Sequence, residues 1–249
     1  MPPTDLNAAA GAANRANSAS TTRDRPVNSE QLEAMSKLRA FGSATVYEAL
    51  GRVGAMDPAI KPLDWRRSVV GRAFTVDSAP GDNLTIHYGA SLAGQGDVLV
   101  VDAKEFVGAG PWGDVLSHYA MKRGIAGLVI DGAVRDSHAI MEMEFPVFCR
   151  GVCIIGTDKV NLGRVNEPVV CGGVTVRPGD VIVGDADGVA VVPQELVCDA
   201  YEASSKRERA ESDLRSAIGH GASPIDLINL RGTLNAALAA RASADYYAS

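Results

Sequence analysis

Apolar residues recur three positions apart at Leu32, Met35, Leu38 and Phe41, the spacing of one helical face, and Gly42 supplies a stop, so a helix is predicted from residue 29. A second helix is predicted over 45–50, closing near Gly51. The period then changes. Runs at 69–76 and 98–101 are almost continuously apolar, as in strands buried on both faces; 113–123 is helical with Gly124 as its stop, and 125–130 is apolar again. Strand, helix and strand in this order predict a βαβ unit with a parallel sheet. The apolar runs at 146–155, 169–176 and 181–192 are separated by Gly, Asn and Pro turns without helical periodicity, and are expected to return as antiparallel or mixed strands. Pro193 opens a long polar helix reaching about Ala217, in which the charged run at 206–211 reads as a solvated face. Residues 1–27 hold almost no large apolar side chains, too few to repay the entropy of ordering, so a disordered tail is expected there.

Composition narrows the class. At 249 residues, 46% hydrophobic and 22% charged, the chain can bury one ordinary core with tails at its ends. A net charge of -6 argues against a nucleic-acid partner, which calls for a basic surface. Small anions remain open as substrates, because a few focused cations or a bound metal hold a carboxylate whatever the net charge. No run reaches the roughly 18 apolar residues of a membrane span, and the N-terminus lacks a basic start followed by an apolar signal segment. A cytoplasmic protein with no membrane partner is the expectation. Cys149, Cys153, Cys171 and Cys198 form no CxxC pair and read as reduced, packed thiols.

Three segments can carry chemistry. Gly108-Ala-Gly-Pro-Trp-Gly-Asp-Val-Leu116 joins a strand end to a helix start, where glycines permit close backbone approach and first-turn N–H groups attract an anion. It reads as a carboxylate or phosphate cradle, although an ordinary Gly/Pro loop has the same composition. Val129-Ile-Asp-Gly-Ala-Val-Arg-Asp136 is an apolar strand emptying into a turn, at the place where open α/β sheets bind ligands. Arg135 beside Asp136 is either a surface ion pair or, with Asp114, a set of oxygen ligands for a hard cation plus a donor for a developing oxyanion. Pro80-Gly-Asp-Asn-Leu-Thr-Ile-His87 presents a lone histidine, open to a structural or a catalytic reading.

Gly110-Pro-Trp-Gly-Asp114, followed after twenty residues by Arg135-Asp136, resembles the signature of class II pyruvate aldolases. These are the 4-hydroxy-4-methyl-2-oxoglutarate and 4-carboxy-4-hydroxy-2-oxoadipate aldolases, which share a fold with the RraA regulators of ribonuclease E activity. The resemblance extends through Pro80-Gly-Asp-Asn83, Phe145-Pro-Val-Phe148 and Gly179-Asp-Val-Ile-Val-Gly-Asp-Ala-Asp-Gly188. It implies an α/β swivelling β/β/α sandwich with flanking N- and C-terminal helices in a domain at 28–219; residues 220–249 fall outside the match and are expected to form a helical extension. It also implies Mg2+ or Mn2+ bound directly by Asp136 and, through water, by Asp114, and a guanidinium, Arg135, on the keto oxygen of pyruvate. Gly113 with the N–H groups of Val115 and Leu116 would take the pyruvate carboxylate. Glu48 and His87 would lie near the leaving half of the substrate, and Glu211 would reach the metal waters of a neighbouring subunit in a homotrimer or a dimer of trimers.

The implied activity is metal-dependent cleavage of a 4-hydroxy-2-oxo diacid to pyruvate and an oxo acid, with oxaloacetate decarboxylation through the same enolate. A Schiff-base route is disfavoured, since neither Lys104 nor Lys122 has an obvious desolvated setting. The rival expectation is a non-catalytic RraA-type regulator of ribonuclease activity. A methyltransferase would want a glycine-rich cofactor loop after the first strand, which this chain lacks.

Overall fold

The computed structural model describes residues 27–247, so all but the last residue of the expected tail lies outside the described residues. The chain divides into two compact units, one ending at Ala203 and the other beginning at Ser204.

The first unit opens with α1 (Ser29–Leu38), started by a reciprocal capping box between Asn28 and Gln31, and α2 (Ser43–Ala49). Then follow β1 (Lys61–Pro62), β2 (Val69–Asp77), α3 (Leu84–Leu92), β3 (Asp97–Phe106), α4 (Asp114–Lys122), β4 (Gly127–Val134), α5 (Ser137–Glu142) and β5 (Val147–Val152). Five short strands complete the β structure: β6 (Arg164–Val165), β7 (Val169–Cys171), β8 (Val174–Val176), β9 (Val181–Gly184) and β10 (Val189–Val192). α6 (Val197–Gly219) follows a single 3-10 turn.

Strands β2, β3, β4 and β5 are parallel neighbours, as the βαβ rhythm predicts. β9 adds antiparallel to β2 and β10 to β9. The run at 55–62 then joins the two edges: Ala55 bridges Ala190 on β10, while β1 pairs with β5, so the sheet curls almost into a barrel. Alternation along each strand sorts the core. Val98, Val100, Val129 and Phe148 face the inside of the curl beneath the β7–β8 hairpin. Leu99, Val101, Leu128, Ile130 and Val147 face outward against the helices, in a second core with Ile86, Trp112, Leu116 and Ile140. Hairpin, sheet and helices form the expected β/β/α layers, with α1 and α2 packed over the start of β2 and over β9 and β10.

Several elements differ from the sequence reading, each for a physical reason. The first helix stops at Leu38, and Phe41 closes a turn by donating its N–H to the Leu38 carbonyl at 3.0 Å. The run at 169–176 is two strands, because Gly172 and Gly173, with φ of 56° and 74°, turn the chain back inside an apolar stretch. The run at 181–192 is likewise the β9–β10 hairpin. Helix α3 is short and exposes only His87, Tyr88 and Ser91, too few positions to show a period; Gly89 lies mid-helix because a Cβ there would meet Val76 Cγ2 at 2.5 Å.

In the second unit the chain is helical: α6 runs on to Gly219 and is followed by α7 (Pro224–Leu227) and α8 (Arg231–Tyr247).

Candidate active site

Beyond the end of β4, three segments interlock through their backbones. Arg135 N–H donates to the Trp112 carbonyl at 2.8 Å, Cys153 N–H to Val134 at 2.8 Å, and Gly110 N–H to Ile155 at 2.9 Å. The strand supplying Arg135 is buried along its whole length, so the platform under the site is rigid. Trp112 is fully buried and stacks on Phe145, with ring centroids 6.2 Å apart. Its indole N–H donates to Ser117 Oγ at 2.7 Å, and the Ser117 hydroxyl donates to the Gly113 carbonyl at 3.0 Å. A tryptophan in the glycine-rich loop thereby clamps that loop to the first turn of α4.

Gly113 caps α4 in an extended conformation that any residue can adopt. The need for glycine is spatial: a Cβ there would overlap Asp136 Oδ2 and lie 3.2 Å from Arg135 Nε. The missing side chain lets Asp136 stand at the mouth of α4, its Oδ2 3.4 Å from Asp114 N and 3.3 Å from Arg135 Nε. Asp136 itself sits in the left-handed region at φ 56° and starts α5, a conformation that aspartate tolerates better than most side chains. Arg135 and Asp136 keep 46% and 38% of their side-chain surface, open to a ligand. Asp114 is half-buried and accepts the Val115 N–H at 2.8 Å, so a substrate carboxylate reaching that N–H would have to displace it. Val115 is exposed and Leu116 is packed into the outer core.

The structure thus brings Gly113, Asp114, Val115, Leu116, Arg135 and Asp136 to one strand end. His87 lies on α3, largely exposed, with partial desolvation of the ring and then the Lys159 charge pushing its pKa down, which favours the neutral imidazole. Its helix is tied to the cluster by Asn83, whose amide donates to the Pro111 carbonyl at 2.9 Å. Glu48 is not brought in: it lies on α2, which packs on β9 and β10, and pairs with Arg52 at 3.1 Å. Glu211 belongs to the second unit, where it pairs with Arg207 at 2.9 Å and Arg215 at 3.6 Å. Among the described residues no group of three or more His, Cys, Asp or Glu side chains is placed to cage a metal. Lys104 Nζ lies 2.6 Å from both Asp77 and Asp102, which hold its pKa up against desolvation and keep it from serving as a neutral nucleophile.

Sequence reasoning gave Asp82 and Asn83 no role. Asp82 is buried and accepts the N–H groups of Leu84, Val160 and Asn161 at 2.8 to 2.9 Å, fastening the 158–162 segment beside the site. The signal was the Pro-Gly-Asp-Asn turn ahead of an apolar run, but it reads locally as a helix cap, whereas the Asn83 amide reaches Pro111 instead.

Fold and site together define an α/β protein that presents two carboxylates and a guanidinium around a helix N-terminus at its parallel strand ends. Residues 43–191 match the RraA-like family, described as Aldolase/RraA, and the chain belongs to that family. A Halalkalibacterium halodurans protein named "Putative 4-hydroxy-4-methyl-2-oxoglutarate aldolase" is 40% identical over 195 residues, 76% of this chain and 93% of the relative. A crystal structure of an uncharacterized Pseudomonas syringae protein superposes with TM-score 0.71 at 28% identity, covering 79% of this chain and 96% of that one. The RNA-processing inhibitor RraA from Thermus thermophilus superposes with TM-score 0.57 at 26% identity, over 61% of this chain and 93% of that one. No helix among the described residues is long and apolar enough to cross a membrane.

Proposed function

We propose that the chain is a divalent-metal-dependent carbon-carbon lyase that cleaves 4-hydroxy-2-oxo diacids to pyruvate and an oxo acid, and decarboxylates oxaloacetate at the same site. The observation that carries this reading is the meeting of Arg135, Asp136 and Asp114 at the first turn of α4. The donor set suits Mg2+ or Mn2+: oxygen ligands from two loops, without a third protein group, fit a hard ion that keeps most of its water and not a closed zinc cage. Asp136 would hold the ion directly and Asp114 through water, and the bound cation would polarise the keto oxygen.

The chain's own groups divide the remaining work. The first-turn N–H groups of α4 at Val115 and Leu116, beside Gly113 at the cap, receive the substrate carboxylate. As the C3–C4 bond breaks, the proton of the C4 hydroxyl passes by way of a water to the Asp114 carboxylate. The bonding pair moves through C3 to the former keto oxygen, where Arg135 stabilises the enolate charge as it develops; protonation at C3 gives pyruvate. Oxaloacetate reaches the same enolate by losing carbon dioxide. His87 stands with the leaving half of the substrate, whereas Glu48, paired with Arg52 on α2, takes no part in this site. Glu211 acts in the site of a second copy within a trimer or a dimer of trimers. In support of assembly, Val152, Ile154, Ile155, Val160 and Leu162 are all exposed in the segment bordering the site, an apolar strip that a second copy would cover.

Pyruvate release from a panel of 4-hydroxy-2-oxo diacids and oxaloacetate tests the proposal. Chelator should abolish turnover, and Mg2+ or Mn2+ should restore it. Absence of turnover on every substrate with either metal present overturns the lyase and favours the regulator reading, in line with the fold shared with the RNA-processing inhibitor.

A further inference from the structure

β3 and β4 pair in register from Val98 with Gly127 to Val101 with Ile130, and then fall out of step. The next pair is Phe106 with Gly132, so β3 carries surplus residues as a bulge. Inside it Lys104 and Glu105 both have φ 58°, two consecutive left-handed residues, neither of them glycine. Such strain persists only where the surroundings over-determine it. Here two ion-pair networks do so. Lys104 Nζ lies 2.6 Å from both Asp77 and Asp102, and its N–H donates to Asp102 Oδ1 at 3.0 Å. Glu105 lies 3.8 Å from Arg150, whose guanidinium is held by buried Asp131 and, at 3.3 Å, by Asp57.

Past the bulge the chain rejoins β4 at Gly132, where a Cβ would come within 3.0 Å of both Ala103 Cβ and the Phe106 carbonyl oxygen. Six residues later the Trp112 carbonyl takes the Arg135 N–H at 2.8 Å. The segment at 132–135 is therefore bracketed by Phe106 and Trp112, and the bulge decides where the bracket begins. We propose that Lys104 and Glu105 are positioning residues, which through the strained bulge set the 107–113 loop, and with it Gly113 and the first turn of α4, against Arg135 and Asp136. The consequence for turnover rests on the lyase reading; the positioning itself does not.

The chain has two tryptophans, Trp65, which is 73% exposed, and buried Trp112. In a Trp65→Phe background, acrylamide quenching of Trp112 reports the loop directly. Lys104→Ala removes the ion pairs and keeps the left-handed cost, whereas Lys104→Gly removes the same ion pairs without that cost. The bulged arrangement should be roughly fivefold to thirtyfold more populated in the glycine variant than in the alanine variant. Quenching should rise in Lys104→Ala and return toward the parent in Lys104→Gly, with kcat following the same order and KM near the parent value. Equal quenching in parent and Lys104→Ala, below the thermal transition, overturns the proposal and leaves the ion pairs a role in stability alone. If Lys104→Ala does not fold, Glu105→Ala against Glu105→Gly makes the same comparison with the loss of one long ion pair. If even the parent releases no pyruvate, the lyase reading fails, and the quenching order alone decides the positioning role.

Discussion

Gly113→Ala separates placement of the site from stability of the fold more cleanly than removal of a charged residue. The backbone at Gly113, φ -145° and ψ -166°, is open to alanine, so the substitution adds no strain there and trims the entropy of the unfolded chain, an effect of about 0.4–1 kcal/mol in favour of folding. The new methyl group would overlap Asp136 Oδ2 and press on Arg135 Cγ and Nε, each 3.2 Å away. Both neighbours are side chains, half-exposed and able to swing outward. The carboxylate would withdraw by about 1 Å, and a misplacement of that size near reacting groups costs on the order of a hundredfold in rate. Melting followed by circular dichroism should therefore move little, while kcat/KM for pyruvate release, coupled to lactate dehydrogenase, should fall about a hundredfold. Gly110→Ala is the contrast. Its Cβ would lie 2.5 Å from the Cys153 carbonyl oxygen and 3.1 Å from Arg135 N, backbone atoms that cannot swing away, so that variant should lose stability as well as activity. If Gly113→Ala keeps activity within about twofold, the position of Asp136 at the mouth of α4 is not what catalysis uses, and the reasoning fails.

Arg135→Ala should depress aldol cleavage and oxaloacetate decarboxylation by similar factors, about a hundredfold or roughly 3 kcal/mol, since both pass through one enolate; sparing of decarboxylation would place Arg135 on the leaving half instead. His87→Ala should mainly slow the larger aldol substrate, read from the ratio of the two rates. Arg66 holds the Asp64 carboxyl down to about 2 through bonds at 2.8 and 2.9 Å. Because the folded pKa is depressed, the stability it contributes is present above the unfolded value of about 3.9 and is lost as pH falls toward about 2. Asp64→Asn should thus melt below the parent at neutral pH, with the gap closing between those two values; a gap independent of pH refutes the linkage. Mixing inactive Glu211→Ala chains with inactive Asp136→Ala chains should regenerate some activity at subunit boundaries, and no recovery despite proven exchange would remove Glu211 from a neighbour's site.

Local chemistry made part of this protein legible without coordinates. Apolar runs of strand length alternating with helical spacing specify a parallel sheet, and loops at its strand ends are where ligands bind, so Asp114, Arg135 and Asp136 could be chosen from the chain alone. The spacing that resembles class II pyruvate aldolases led to the family that the match over 43–191 then showed. Other features had no local signal. The β7–β8 turn is hidden in an apolar run, and α3 is short, with only His87, Tyr88 and Ser91 on its exposed face, so periodicity was silent about both. The Asn83 amide reaches Pro111, Gly110 pairs with Ile155, and Cys153 with Val134, contacts between residues far apart in the chain whose register only the packed sheet sets. The bulge at Lys104 and Glu105 reads in sequence as two ordinary charged residues; their strain exists because buried Asp102 and the Asp131–Arg150 pair hold them there. Residue types and spacing determined which groups stand at the strand end. The tertiary structure decided how closely they meet, because that distance is set by the absent side chain at Gly113 and by carboxylates brought in from other strands.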